Sequence, residues 1–141
     1  MPQELPGPIN SEHWAKSKTA DGHWLFQYTG IQPCSIKGTG VQWKWEAVQF
    51  AVPLRAVEPG FGLDLSYWTV LVTPSWISNE QIAEYAGWAV NDIELANPRV
   101  TQESDLQVDC QVGVRDSDGF VNGLYYTISL VADEVRLRIV K

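Results

Sequence analysis

A chain of 141 residues with 45% hydrophobic and 19% charged side chains can bury the core of one globular domain, and this composition excludes a disordered or fibrous protein. Ten basic and 17 acidic residues give a net charge of −7, which argues against nucleic acid or an anionic membrane as a partner because both require a basic surface. The chain has neither a basic, apolar leader nor an apolar run of roughly 18 residues. We therefore expect no signal peptide and no transmembrane segment, with the cytoplasm as the default location.

Residues 1–12 carry three prolines and little apolar periodicity, which predicts an extended arm or a disordered leader at the start of a single β domain spanning residues 1–141. The following residues alternate with the period of two that is typical of strands. His23–Thr29 is predicted to be a strand with one aromatic face, formed by Trp24, Phe26 and Tyr28. A loop is predicted over Gly30–Gly40 from its proline and glycines.

The segment Val41–Val52 has the length of a long strand, but its apolar positions change phase within it. The first half places apolar side chains on odd-numbered positions and the second half on even-numbered positions, namely Val41, Trp43, Trp45 and Ala47, then Val48, Phe50 and Val52. A one-residue phase change of this kind predicts a β-bulge or a strand that turns a corner between two sheets.

The middle of the chain is predicted to contain a loop at Pro53–Gly62, a strand at Leu63–Thr73 and one short helix. Four residues beginning at Ser78 have the spacing of a capping box, with Ser78 as the N-cap and a glutamine three residues later. The helix would cover about Asn79–Ala86 and end at Gly87, which can take the left-handed conformation of a helix C-terminus.

The C-terminal third predicts three amphipathic strands in a meander. Apolar and polar residues alternate through Leu106–Val114, Leu124–Leu130 and Val135–Ile139, with turn residues between them at Asp116–Gly119 and Ala132–Glu134. One face of each strand is polar, as in an antiparallel sheet with one face in water. The whole chain therefore predicts an all-β fold of about seven to eight strands with one short helix, arranged as an antiparallel β-barrel or a curled β-sandwich.

All seven tryptophans lie within the first 88 residues. A tryptophan on the apolar face of a strand is usually part of the core, but seven are more than one small core normally needs. We therefore predict that some of them line a ligand site with neighbouring aromatic residues, and the candidates are Trp24, Trp43, Trp45, Trp68, Tyr28 and His23. If the face of Trp43 and Trp45 is interior, it either fills the core or lines a cavity. Trp14, Trp76 and Trp88 flank loops and the predicted helix and are interpreted as packing residues.

No catalytic, metal or cofactor motif is recognisable. The two histidines and two cysteines lack zinc-ligand spacing, and Asp116–Gly119 lacks the third acidic position and the glutamate of a calcium loop, so a plain turn is favoured. His23 has Asp21 as a nearby acid that could orient it as a base, without further support. Cys34 and Cys110 could form one disulfide, although two reduced, buried thiols are favoured.

Three functions fit these features. A non-catalytic binding module with a Trp/Tyr-lined pocket or face for a small apolar or sugar-like ligand is favoured, because the aromatic residues cluster without a catalytic motif. A small β-barrel enzyme of the cyclase or isomerase type would position its substrate in an aromatic cavity. A structural or assembly subunit would use the tryptophan-rich, nearly neutral half as an interface, which leaves a homo-oligomer open. The acidic end without tryptophan is interpreted as scaffold, so the site is expected in the first half.

Overall fold

The computed structural model describes residues 3–8, 13–55, 57, 60–79, 86–96 and 105–136. Two four-stranded sheets pack as a sandwich and do not close into a barrel, with the strand orders β1-β4-β7-β6 (sheet A) and β2-β3-β8-β5 (sheet B). The all-β prediction is confirmed, and the curled sandwich is the correct one of its two alternatives. The strands are β1 (Gln3–Glu4), β2 (Trp14–Lys18), β3 (Trp24–Lys37), β4 (Lys44–Val52), β5 (Phe61–Asn79), β6 (Gly87–Leu95), β7 (Leu106–Arg115) and β8 (Gly119–Arg136).

The core lies between the facing sides of the two sheets, as the alternating pattern requires. Phe26 of β3, Phe50 of β4 and Tyr126 of β8 each have at most 1% of their surface exposed. The rings of Phe50 and Tyr126 meet between the sheets with their centroids 5.7 Å apart. Burying each such side chain contributes about 1.5–3 kcal/mol, so this layer of aromatic and aliphatic residues holds the sheets together.

The two C-terminal strands are the inner strands of different sheets. β7 pairs with β4 and β6, whereas β8 pairs with β3 and β5. The predicted meander is therefore wrong, because the turn at Asp116–Gly119 carries the chain from one sheet to the other. Backbone hydrogen bonds tie this turn to the segment after β3: the Gly38 N–H donates to Gly119 O (2.9 Å) and the Asp116 N–H donates to Gly40 O (2.8 Å).

Three further predictions, a loop, a bulge or corner, and a turn, are also wrong. The predicted loop at Gly30–Gly40 is mostly strand, because β3 continues to Lys37 and accommodates Pro33 at a register shift, where a missing N–H is tolerated. β4 pairs with β7 in unbroken register, so the phase change in Val41–Val52 is neither a bulge nor a corner. Its even positions face the core, and its odd positions, Trp45 among them, face outward. β8 runs through the predicted turn at Ala132–Glu134 to Arg136, since every residue there pairs with β5.

The predicted helix does not begin where its capping box placed it. Ser78 and Asn79 belong to β5, and residues 80–85, which carry the rest of that prediction, lie outside the described residues. The same holds for residues 137–141 of the last predicted strand. The described residues form no helix, and therefore none that could cross a membrane.

The described part of the N-terminal arm, residues 3–8, is extended along the edge of sheet A. β1 lies parallel to β4, and the buried Leu5 donates its N–H to Gln49 O at 2.8 Å. The side-chain amide of the buried Gln32 donates to Pro6 O. The arm therefore covers the edge that β4 would otherwise leave open.

Candidate functional site

Two stacked tryptophans form an aromatic platform on the outer face of sheet A. Trp43 directly precedes β4 and Trp45 lies within it, and their ring centroids are 5.5 Å apart with an angle of 20° between the ring planes. Trp43 retains 39% and Trp45 retains 40% of its surface in contact with solvent. This face is therefore not interior, and neither of the two outcomes considered for an interior face applies: the two indoles neither fill the core nor line an enclosed cavity.

Glycines of β7 and β6, the next two strands of sheet A, lie against these indoles. A methyl group built on Gly113 of β7 would meet three adjacent ring atoms of Trp45 at 2.6, 2.7 and 2.7 Å, so the ring covers this glycine with its face. A methyl group on Gly87 of β6 would meet the Trp43 ring at 2.8 and 3.1 Å. Each indole therefore contacts a glycine on one side while about two fifths of its surface remains in solvent.

Polar contacts to backbone carbonyls hold the segment that carries the platform. Arg115 Nε donates to Val41 O at 2.9 Å, and Lys44 Nζ donates to Lys37 O at 3.2 Å. Both cations therefore hold the chain segment that leads from β3 into β4, next to the platform.

A strip of small and amide side chains continues the platform along the same face. Residues paired across neighbouring strands share a face of the sheet, so the register places Ala89 beside Gly113, and Ala47 and Asn91 on either side of Gln111. Gln49 lies opposite Asp109 and Ala51 opposite Gln107 in the next rows. Gln107 Nε2 donates to Asp109 Oδ1 at 3.1 Å. This face therefore combines flat aromatic surface with hydrogen-bond donors and acceptors, over side chains small enough to leave room.

The other predicted site residues do not join this platform. Trp24 lies at the opposite end of the sandwich, where it pairs with Ala132 of β8, and its ring is covered by the ammonium groups of Lys16 (4.6 Å) and Lys18 (4.8 Å). Trp68 lies at the open edge between β5 and β6 and lines a cleft of about 420 Å³ with residues such as Ile93.

Tyr28 and His23 have roles in structure at their own positions. Tyr28 lies in the core, where its hydroxyl donates to Arg55 O at 2.5 Å and burial raises the pKa of the phenol. The His23 Nδ1 atom is 2.8 Å from Asp133 Oδ1, and this hydrogen bond raises the pKa of the imidazole. Asp21, the acid expected from the sequence, is farther away at 3.9 Å and accepts a hydrogen bond from Thr19 instead.

The sequence interpretation missed Trp76. This residue is exposed, although it was interpreted as packing, and its ring lies on Gly123 of β8, where a methyl group would meet it at 2.8 Å. Its φ angle of 49° is in the left-handed region, which is strained for a bulky side chain. No local sequence pattern predicts that Trp76 is exposed, because Gly123, which supports its ring, is 47 residues away in the chain. Trp14 on β2 is also exposed, whereas Trp88 packs against the core.

The cysteines and the acidic turn provide no reactive group. Both thiols are free, and burial raises the pKa of Cys34 to about 11 and that of Cys110 to about 12, so both are protonated near neutral pH. Asp116 is buried with a φ of 95° and accepts a hydrogen bond from Asn79 Nδ2 at 2.7 Å. Within the described ranges, no three His, Cys, Asp or Glu side chains are grouped to hold a metal ion.

Comparisons with protein families, with curated proteins and with solved structures find no match to this chain.

Proposed function

We propose that this domain is a non-catalytic binding module that takes sugar rings on the platform of Trp43 and Trp45. The observation that carries the proposal is the pair of solvent-exposed indoles, stacked with centroids 5.5 Å apart and supported from below by Gly87 and Gly113. Exposing two large apolar rings side by side has a cost in water, which a ligand that covers them would offset.

The open shape of the platform favours a sugar over a small apolar ligand. Pockets for apolar ligands usually enclose most of the ligand surface, whereas a flat face covers one side only. A pyranose ring suits such a face, because its C–H groups can stack on indole while its hydroxyl groups remain in water or bind polar neighbours. Gln111, Asn91 and Gln49 lie on the same face and offer amide groups of both hydrogen-bonding types.

We favour this module over the barrel-enzyme alternative because the described strands form two open sheets and not a barrel. Catalysis by that enzyme required an interior cavity lined by aromatic residues, and the space between the sheets is occupied by buried side chains of the described strands, among them Phe50 and Tyr126. The thiols and histidine described above add no activated nucleophile or base to the platform.

The test is calorimetric titration of the protein with soluble oligosaccharides and polysaccharides, and with apolar ring compounds for comparison. We expect binding of at least one saccharide, weakened about tenfold or more in Trp45→Ala, since about 1.4 kcal/mol of lost stacking corresponds to a factor of ten. Trp76→Ala is the matched control, because Trp76 is also exposed and also rests on a glycine, but on the other sheet. Equal losses in the two variants, or no saccharide binding at all, would refute the proposal.

A further inference from the structure

β5 is a long edge strand, and most of it lacks the charged side chains that usually protect such an edge. In the described part of the chain its ladder is formed with β8 alone, so one side of its backbone has no neighbouring strand. Leu65–Asn79 contains no charged residue, although the chain as a whole carries a net charge of −7. Natural edge strands are normally kept apart by charges, prolines or bulges, because their unpaired N–H and C=O groups otherwise recruit another strand.

β5 has two features that oppose strand addition, and they lie at the two ends of a span whose outer edge is open. A register shift interrupts the ladder between Leu65 and Tyr67, and Pro74, which has no N–H to donate, lies beyond Thr73. Between them, Tyr67–Thr73 runs for seven residues in regular register with β8, long enough for an ordinary strand pairing.

Apolar surface is exposed on both sides of this span. On the outer side, Tyr67 is 62% exposed and Leu71 is 63% exposed, the two highest values among the large hydrophobic side chains described. On the inner side, Trp68 and Val70 line the cleft of about 420 Å³ between β5 and β6. A strand added at this edge would cover apolar groups on both of its faces.

We propose that β5 is a dimerisation edge, to which a second copy of this chain adds its own β5 in antiparallel orientation, forming one continuous eight-stranded sheet. A two-fold axis through Val70 places each Tyr67 opposite Thr73, each Trp68 opposite Val72 and each Thr69 opposite Leu71 of the other copy. This register keeps outward residues opposite outward residues and inward residues opposite inward ones, as the alternation of a sheet requires.

Two features favour a second copy over a different protein. An antiparallel pair of identical strands is self-complementary, so one patch supplies both halves of a closed two-fold interface. Two chains of charge −7 repel each other over most of their surface, and the uncharged span of β5 lets the two strands meet without carboxylates of their own. Glu94 of β6 lines the cleft beneath this span and is the acidic group nearest to it among the cleft residues. The outward residues of β8 next to this span, from Gly123 to Val131, are uncharged as well.

Sedimentation equilibrium of the full chain over a wide concentration range tests this proposal. We expect the unmodified protein to be a reversible dimer, and Leu71→Lys to raise the dimer dissociation constant by about tenfold or more, because a lysine on an edge strand opposes strand addition. Tyr67→Lys repeats the test at a second exposed position, in case the first variant does not fold. Circular dichroism checks that each variant keeps its strands.

Tyr125→Lys separates edge pairing from stacking of one sheet on another. Tyr125 is exposed on the same outer face but lies on the inner strand β8, where it pairs with Thr73. If the dimer survives Tyr125→Lys and dissociates with Leu71→Lys, the edge is the interface. A monomeric unmodified protein, a dimer that survives Leu71→Lys and Tyr67→Lys, or a dimer that Tyr125→Lys disrupts equally would each overturn the proposal. The platform on sheet A is not altered by these changes, so saccharide binding is tested separately.

Discussion

Replacing Gly113 by alanine puts a methyl group where the face of the Trp45 indole now lies. The backbone accepts this change, since Gly113 has no positive φ angle, but three ring atoms lie at 2.6–2.7 Å from the new carbon. Carbon atoms that are not bonded prefer a separation of about 3.5–4.0 Å, so the indole must lift by about 1 Å. Because the ring borders solvent it can do so, and we expect a stability change below about 1 kcal/mol, less than for overpacking in a closed core.

The lifted ring should no longer form one surface with Trp43, so a ligand stacked on both indoles loses one of its two contacts. An aromatic contact is worth about 0.5–1.5 kcal/mol, and this predicts an affinity about two- to twelvefold lower in Gly113→Ala. Calorimetry measures the affinity, and the exciton signal of the paired indoles in circular dichroism reports the stack itself. Gly40→Ala is the control, because a methyl group there meets nothing within 4 Å. An unchanged exciton signal together with unchanged affinity would show that Gly113 does not determine how the two indoles are arranged.

Three further outcomes follow from residues outside the platform. Tyr28→Phe should destabilise the domain by about 1 kcal/mol in chemical denaturation, because the part-buried hydrogen bond to Arg55 O is lost, and it should leave saccharide affinity unchanged. A weakened affinity would show that Tyr28 contributes to the binding site. His23 should titrate by NMR with a pKa above its usual 6.5, and Asp133→Asn should lower that pKa. The stabilisation from the His23–Asp133 pair is present below pH 6.5 and is lost as pH rises through the raised pKa. A pair that stabilises the domain equally at high pH would contradict this pH dependence. Cys34 and Cys110 should react slowly with a thiol reagent at pH 8 in the folded protein, because burial raises the pKa of both thiols, and rapidly in denaturant. A fast reaction of the folded protein would show that the two thiols are not protected in this way.

The sequence was a good guide to which residues are buried along each strand. Alternation in β3 correctly put Phe26 and Tyr28 on one face, because a period of two reports a strand's own two faces, and both are buried. It also led us to propose Tyr28 as a ligand-binding residue, whereas Tyr28 lies in the core. It does not report which strand lies alongside. The turn at Asp116–Gly119 has the residues of a hairpin, yet the strands on either side of it belong to different sheets. Partner choice depends on packing between the sheets, which no local pattern encodes.

The platform could not be located from the sequence for a related reason. Trp43 and Trp45 were correctly singled out as a pair on one face, but an apolar face of a strand usually points inward. Here it points outward because the even positions of β4, Val48, Phe50 and Val52, take the core, and the exposed indoles lie against Gly113 and Gly87 instead. Those glycines lie 68 and 44 residues away from the tryptophans that they support, Trp45 and Trp43. Only the register of the assembled sheet brings them together.

The position of β7 and β8 also bears on how this chain can be made. A ribosome delivers these two strands last among those described, although each is one of the two inner strands of its sheet. Until β7 emerges, β4 and β6 lack their antiparallel neighbour, and until β8 emerges β5 has no partner strand and β3 has only the short β2. Folding therefore waits until synthesis has passed residue 119, and it must then close loops of up to about a hundred residues, which makes it slow. During that wait the uncharged stretch Leu65–Asn79 of β5 is exposed on an unfinished chain, so chaperone depletion should reduce the soluble yield of this protein more than that of a domain built from local hairpins.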